Sequence, residues 1–255
     1  YIFLCVFIYF FQHLFFFRPE RLAHTFQYKY PFPFEELDFD MEDGGRINAI
    51  HFKVPNSRGV VYYLKGNSKS IKGWGKFAKD FVSNGYDFFM MDYRGFGKSS
   101  GKRSQEKVFN DAQYIYKWLA QSYPEDKIVL YGRSWGSGIA ARIASWNKPK
   151  LLICDEPTSA LDPIGRKEIL AILQQVKKET TVLFSTHVLS DVEKICDHIV
   201  LLHKGEIKLD MTPDNFKEVY RVEKILVTLS DDCEVERLRT TFQVEEGNQM
   251  YQYLV

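Results

Sequence analysis

The sequence predicts an α/β fold: a mostly parallel sheet with helices on both faces, an N-terminal membrane-anchor helix, and a small α+β appendix at the C-terminus. Three observations predict it. From residue 59 to residue 203, short β-type runs alternate with helical patterns, and that alternation builds parallel sheets covered on both sides. The strand runs are continuously apolar, as in Val60-Val61-Tyr62-Tyr63-Leu64 and Leu151-Leu152-Ile153-Cys154, which suits strands buried on both faces. Residues 1–17 are apolar except for Gln12 and His13, and a membrane crossing needs roughly 20 such residues.

The elements follow in order. Arg18 and Arg21 come directly after the apolar span and favour a cytoplasmic globular part. Pro31-Phe32-Pro33 marks an extended linker. Residues 37–41 and 47–54 read as two strands around Asp43-Gly44-Gly45, a hairpin signal. A buried strand is expected at 59–64, then a helix over 74–84 closed by Gly85 at its C′ position. Residues 87–92 form the next strand, 108–123 a helix, 127–131 a strand and 138–146 a helix rich in small residues. A strand at 151–154 precedes a helix over 163–178 with Pro163 at N1. A strand at 181–185, a helix at 190–196 and a strand at 198–203 complete the alternation. The last stretch reads as a βαβ-type appendix with segments at 224–229, 235–240 and 251–255. The expected division is 1–17 anchor, 35–150 first α/β part, 151–220 second α/β part and 221–255 appendix.

Bulk properties exclude several classes. The 255 residues carry a net charge of +1 with 26% charged residues, so no nucleic-acid partner is indicated. The four cysteines are scattered and none forms a CxxC pair, so neither a metal site nor a disulfide framework is indicated, and a reducing compartment is expected.

Two catalytic motifs stand about twenty residues apart. The first is Gly132-Arg133-Ser134-Trp135-Gly136, a strand-to-helix turn that exposes a serine hydroxyl. Its glycines are required because a Cβ there would strike the neighbouring strand and helix. Lys127-Ile128-Val129-Leu130-Tyr131 before it and Ile139-Ala140-Ala141 after it supply the strand and the helix. With Leu64-Lys65-Gly66-Asn67, Met91-Asp92-Tyr93-Arg94-Gly95-Phe96-Gly97-Lys98-Ser99, Phe17-Arg18-Pro19-Glu20 and Gly73-Trp74-Gly75, residues 1–150 resemble a family of small membrane-anchored α/β-hydrolases. The resemblance implies Ser134 as the nucleophile, with the backbone N–H groups of Trp135 and Asn67 as the oxyanion hole. The family's His-Gly after the third strand is Lys65-Gly66 here. Gly97-Lys98-Ser99 looks like the end of a P-loop, but Asp92 stands where that motif needs glycine.

The second motif is Leu151-Leu152-Ile153-Cys154-Asp155-Glu156-Pro157, running into Thr158-Ser159-Ala160-Leu161-Asp162. With Phe184-Ser185-Thr186-His187, Asp191-Val192-Glu193-Lys194-Ile195-Cys196-Asp197 and Leu202-His203-Lys204-Gly205-Glu206-Ile207, residues 149–218 resemble the C-terminal half of an ABC transporter ATP-binding subunit. The resemblance implies Asp155 as the Mg²⁺-associated acid and Glu156 as the base that polarises water. It implies Ser159 and Asp162 as D-loop residues and His187 as the switch histidine. Mg-ATP would be the cofactor only of a complete ABC half, and no other cofactor is indicated. The partners implied are the membrane and an ABC permease or second ATPase subunit.

Each motif lacks partners. A serine needs a histidine to take its proton and a carboxylate to orient that histidine, and the hydrolase resemblance stops before either. Phosphoryl transfer needs a glycine-rich loop and lysine around the phosphates, and none precedes Asp155. The place of the ABC signature loop is taken by the elbow at 131–135. Residues 147–153 suit either family, so they read as the joint. The expectation is a truncated membrane-anchored serine-hydrolase half fused to a truncated ABC ATPase half, without the full activity of either. The alternatives are an ABC transporter ATP-binding protein and a functional α/β-hydrolase acting on an ester, thioester or amide. His187 or His203, with Asp155 or Glu156, each at a predicted strand end, are the candidates to complete a triad.

Overall fold

The computed structural model describes residues 17–159 and 161–219, with the backbone alone of three short strands beyond. The chain divides into two compact units, Tyr1–Ile195 and Cys196–Val255.

The first unit is built on a seven-stranded sheet. Its strands are β1 (Glu35–Asp40), β2 (Arg46–Phe52), β3 (Val60–Leu64), β4 (Asp87–Met91), β5 (Ile128–Arg133), β6 (Leu151–Asp155) and β7 (Thr181–Ser185). Their order is β1-β2-β4-β3-β5-β6-β7. β1 and β2 are the expected hairpin; the Asp43 carboxylate accepts the Gly45 N–H at 3.2 Å, and Gly44 takes φ +77°. β2 runs antiparallel to β4, and β4, β3, β5, β6 and β7 are mutually parallel. β3 and β4 are buried throughout, as their unbroken apolar runs foretold. Phe52, Val61, Tyr63, Phe88 and Met90 belong to one core cluster.

Two helix starts differ from expectation because of capping. The helix expected from 108 begins at Gln105, where the Ser104 hydroxyl accepts the Lys107 N–H at 3.2 Å. The single helix expected over 74–84 is broken into Ile71–Trp74, a 3₁₀ turn Gly75–Phe77 and Ala78–Val82. It starts early because the Asp92 carboxylate accepts the Ile71 N–H, 3.1 Å to each oxygen. At the break, the Tyr30 ring lies so close to Gly75 that a Cβ would stand 2.1 Å from it.

The sheet runs through residues 147–153, the expected joint, without interruption. Leu151 pairs with Val129 on one side and Thr181 on the other. The Lys150 N–H bonds the carbonyls of Glu125 (3.0 Å) and Ile128 (2.9 Å). Asn147 donates to Gln113 Oε1 at 2.8 Å and to the Ile143 carbonyl at 2.7 Å. The helix Trp135–Trp146 packs on β6 and on the helix Pro163–Val176, which buries Leu170, Leu173 and Val176. β7 is one of the sheet's two edge strands, β1 being the other.

The strand expected at 198–203 does not continue this sheet. β8 (Ile199–His203) pairs antiparallel with β9 (Glu206–Met211). Lys204 (φ +51°) and Gly205 (φ +80°) form the turn; two successive positive φ values match a two-residue hairpin, which the expected lone strand did not include. A short helix, Pro213–Val219, follows. The appendix is not βαβ: β10 (Leu226–Thr228), β11 (Glu245–Glu246) and β12 (Gln252–Leu254) form an antiparallel sheet in the order β10-β12-β11. The segment at 235–240 lies outside the described residues. So does the expected anchor, except for Phe17; no helix among the described residues is long and apolar enough to cross a membrane.

Candidate active site

Ser134 joins β5 to the helix Trp135–Trp146 with φ +50° and ψ −119°. A non-glycine residue adopts positive φ only at a cost, and the surroundings over-determine it. A Cβ on Gly136 would stand 2.0 Å from the Leu64 carbonyl oxygen, and one on Gly132 would stand 2.4 Å from Ser137 Cα. The Ser134 N–H donates to the Asp155 carbonyl at 2.8 Å. The Ser137 hydroxyl lies 2.9 Å from the carbonyls of both Gly132 and Asp155. Both glycines are therefore required by backbone contact, and the turn is tied to the end of β6. The Ser134 side chain is exposed and makes no hydrogen bond among the described residues.

The loop after β3 lies over the elbow. The Tyr93 hydroxyl donates to the Lys65 carbonyl at 2.8 Å, and its ring meets Trp135 edge-on at 4.9 Å. Phe17 meets Trp135 from another side at 5.1 Å. The Arg18 N–H donates to the Asn67 carbonyl at 3.2 Å, and the Arg18 carbonyl accepts from Lys69 N–H at 2.9 Å. The loop carrying Asn67 is thus braced by the chain leaving the apolar segment. The first N–H groups of a helix have no partner within it, and that of Trp135, the first residue of its helix, is one of these.

Lys65 is wholly buried, with its ammonium 3.4 Å from Asp92, also wholly buried. It lies 3.2 Å from the Lys69 carbonyl and 3.9 Å from the Phe96 ring centroid. Burial pushes the Lys65 pKa down to about 8 and the Asp92 pKa up to about 6, with their mutual attraction opposing both shifts. The exchange of His for Lys65 is visible in the sequence, but its pairing with Asp92 was not among the expectations. A lysine before Gly66 and an aspartate at the end of β4 was the available signal.

The second motif occupies the next two strand ends. Asp155 accepts the Ser185 hydroxyl at 2.7 Å and lies 3.5 Å from the Arg133 guanidinium. Glu156, at φ +53°, donates its N–H to Ser185, 3.2 Å to the carbonyl and 3.1 Å to the hydroxyl. His187 Nδ1 lies 3.1 Å from Glu156 Oε1 and 3.0 Å from Oε2. Ser159 bonds through its N–H to the Glu156 carbonyl at 3.3 Å. Asp162 caps the following helix, accepting the Gly165 N–H at 2.7 Å. Behind them, buried Asp191 accepts from the Thr158 hydroxyl (2.7 Å) and from Arg166 Nε (2.8 Å). That network was not foreseen.

The structure brings Ser134, Asp155, Glu156 and His187 to the carboxyl ends of three adjacent parallel strands. It does not join His187 to Ser134 by a hydrogen bond, and His203 belongs to the other unit. Gly97-Lys98-Ser99 is no phosphate loop: Lys98 Nζ bonds Glu36 at 2.7 Å, and the Ser99 hydroxyl bonds the Asp92 carbonyl at 2.7 Å.

The sequence profile of the serine aminopeptidase S33 family matches residues 55–223, a span that crosses the expected joint. An esterase of Pyrococcus furiosus shares the fold: 20% identity, a TM-score of 0.53, 70% of this chain and 83% of that one covered. A second crystal form of it gives 21% and 0.51, with 69% of this chain and 84% of that one covered. Part of the chain is also similar to ABC transporter ATP-binding proteins. An uncharacterised one of Bacillus subtilis is 57% identical over 114 residues, 44% of this chain and 38% of the relative. An energy-coupling factor transporter ATP-binding protein of Clostridium perfringens is 46% identical over 127 residues, 49% of this chain and 42% of the relative. The chain thus spans about two-fifths of the length of these curated relatives. Both ancestries are present in one sequence. By a profile that matches most of its length, and with a sheet that keeps the strained serine turn, the chain belongs to the serine aminopeptidase S33 family of α/β hydrolases.

Proposed function

We propose that the chain joins a serine-hydrolase half to an ABC ATPase half, that acyl transfer to Ser134 is its surviving chemistry, and that it does not turn over ATP. The observation that carries this reading is the backbone of Ser134: φ +50° between two glycines that admit no side chain. Such strain persists only where surroundings hold it. Under this reading Ser134 attacks an ester, thioester or amide carbonyl. The N–H groups of Trp135 and Asn67 receive the developing oxyanion, where one such donor is worth roughly 10²–10³ in rate. The family's own acid and histidine are replaced by ABC-type sequence, so turnover falls below that of a complete enzyme. Loss of triad members typically leaves roughly 10³–10⁴-fold over water.

Asp155, Glu156, Ser159, Asp162 and His187 keep their family spacing, but Asp162 serves as a helix cap and Lys98 is held by Glu36. Among the described residues nothing else resembles a lysine-bearing phosphate loop. The proposed division remains 1–17 anchor, 35–150 hydrolase part, 151–220 ABC part and 221–255 appendix, with the globular part on the cytoplasmic side. A permease or second ATPase subunit is the partner an ABC half would retain.

The test is labelling with a fluorophosphonate probe and hydrolysis of a p-nitrophenyl ester. Both are expected above background and lost in Ser134→Ala. Labelling that survives Ser134→Ala, or Mg-ATP binding at micromolar concentration, would overturn the reading.

A further inference from the structure

The carboxyl edge of the sheet holds an acid–histidine pair beside the serine turn. In the register, Gly132 faces Cys154, which faces Phe184, and Arg133 faces Asp155, which faces Ser185. The next residues on the three strands are Ser134, Glu156 and Thr186, with His187 following. Adjacent strands lie 4.7–4.9 Å apart, so the Ser134 and Thr186 backbones are separated by roughly 10 Å, with Glu156 between them. Glu156 already binds His187 through Nδ1. This is the side of the ring that a triad's carboxylate holds, and it leaves Nε2 for the proton of the nucleophile. Among the described residues Nε2 has no hydrogen-bond partner, and neither has the Ser134 hydroxyl. The His187 side chain is 72% exposed, so packing does not fix its rotamer.

We propose that Glu156 and His187, which came with the ABC half, serve Ser134 as positioning acid and general base. The proposal rests on the reading of Ser134 as nucleophile. The chain order, serine then acid then histidine, is that of other α/β-hydrolases, but here the acid follows β6 and the histidine follows β7. In the first step the Ser134 oxygen bonds the ester carbonyl carbon, and its proton passes to His187 Nε2. The tetrahedral adduct then expels the alcohol, which takes that proton from His187, leaving an acyl-Ser134. Water attacks the acyl carbon, gives a proton to His187 Nε2, and releases the acid as Ser134 recovers its proton. Glu156 holds the imidazole through Nδ1 throughout.

The experiment uses the full chain and a p-nitrophenyl butyrate assay, with fluorophosphonate labelling in parallel. His187→Ala is expected to lower kcat about 100-fold or more with KM within twofold, in line with the worth of a general base. Millimolar imidazole is expected to restore part of that loss, which a merely structural residue would not allow. Glu156→Gln lowers kcat, Glu156→Asp recovers part of it, and His203→Ala changes nothing. If Ser134→Ala abolishes turnover while His187→Ala keeps full kcat, the pair is not the base and Ser134 remains the nucleophile. If the unmodified chain hydrolyses no faster than Ser134→Ala, the reading of Ser134 falls and the proposal falls with it.

Discussion

At the scale of single residues, the site depends on positions where one atom decides the outcome. Gly136 stands against the Leu64 carbonyl. A methyl group there forces the helix away from β3, and overpacking of this kind costs about 3 kcal/mol or more where backbone must move. Gly136→Ala is expected to lower the denaturation midpoint and abolish probe labelling, whereas Gly138→Ala, whose Cβ would meet only the Ile169 side chain at 3.7 Å, leaves both nearly unchanged. The Lys65–Asp92 pair is the second such place. Asp92 has its pKa raised by burial, so its charge destabilises the fold as pH rises from its unfolded value towards about 6. Lys65 has its pKa lowered, so stability rises with pH from about 8 towards its unfolded value. Between about 6 and 8 both are charged, and each offsets part of the other's burial cost. Lys65→Met leaves Asp92 alone, and losing one member of a buried pair costs about 3–5 kcal/mol. The loss is expected to be larger at pH 7.5 than at pH 5, where Asp92 is protonated; urea titrations at the two pH values measure it, and equal losses would refute the pairing.

At the scale of elements, the sequence foretold much of what periodicity and turn chemistry control. β3 and β4 were legible because buried parallel strands are unbroken apolar runs; β6 and β7 carry similar apolar runs, though β6 is only half-buried and β7, at the edge, has no buried residue. Gly85 closed its helix as expected, at φ +78°. Most of what escaped was set by partners distant in sequence. Asp92 draws the helix start back to Ile71, and Tyr30 breaks that helix at Gly75. β8 turns back on β9 because Lys204-Gly205 is a hairpin turn. Asp162 shows a motif residue with a local task. Its identity came from family resemblance, and its observed contact is a helix cap. Asp162→Ala is therefore expected to cost about 1 kcal/mol and Asp162→Asn much less, read by thermal melts. Equal losses in the two variants would argue against capping. The site was legible in the same measure: Ser134, Asp155, Glu156 and His187 were found as motif members. Their meeting on one edge depends on strand order, which spacing alone does not give.

At the scale of the whole molecule, the question is whether two ancestries make one folding unit up to Ile195. Backbone ladders cross the joint, Ser137 bonds the end of β6, and the helix Trp135–Trp146 rests on both β6 and the helix Pro163–Val176. Neither side closes its core alone: β5 would lose a neighbour, and β6 would be left with only the edge strand β7. The four tryptophans, Trp74, Trp118, Trp135 and Trp146, all precede the joint. Cys154, on β6 beyond it, is fully buried, with its thiol 3.8 Å from the Ser137 carbonyl. Two probes thus report the two ancestries separately. In a chain carrying Cys5→Ser, Cys196→Ser and Cys233→Ser, tryptophan fluorescence and thiol labelling of Cys154 are expected to change at the same urea concentration. Coincident transitions are the mark of a single cooperative unit. Exposure of Cys154 at a clearly lower concentration would mean that β6 and β7 open first. Ser134 would then lose the Asp155 carbonyl that receives its N–H, and labelling of the serine would fall in step with that first transition, before the tryptophans report any change.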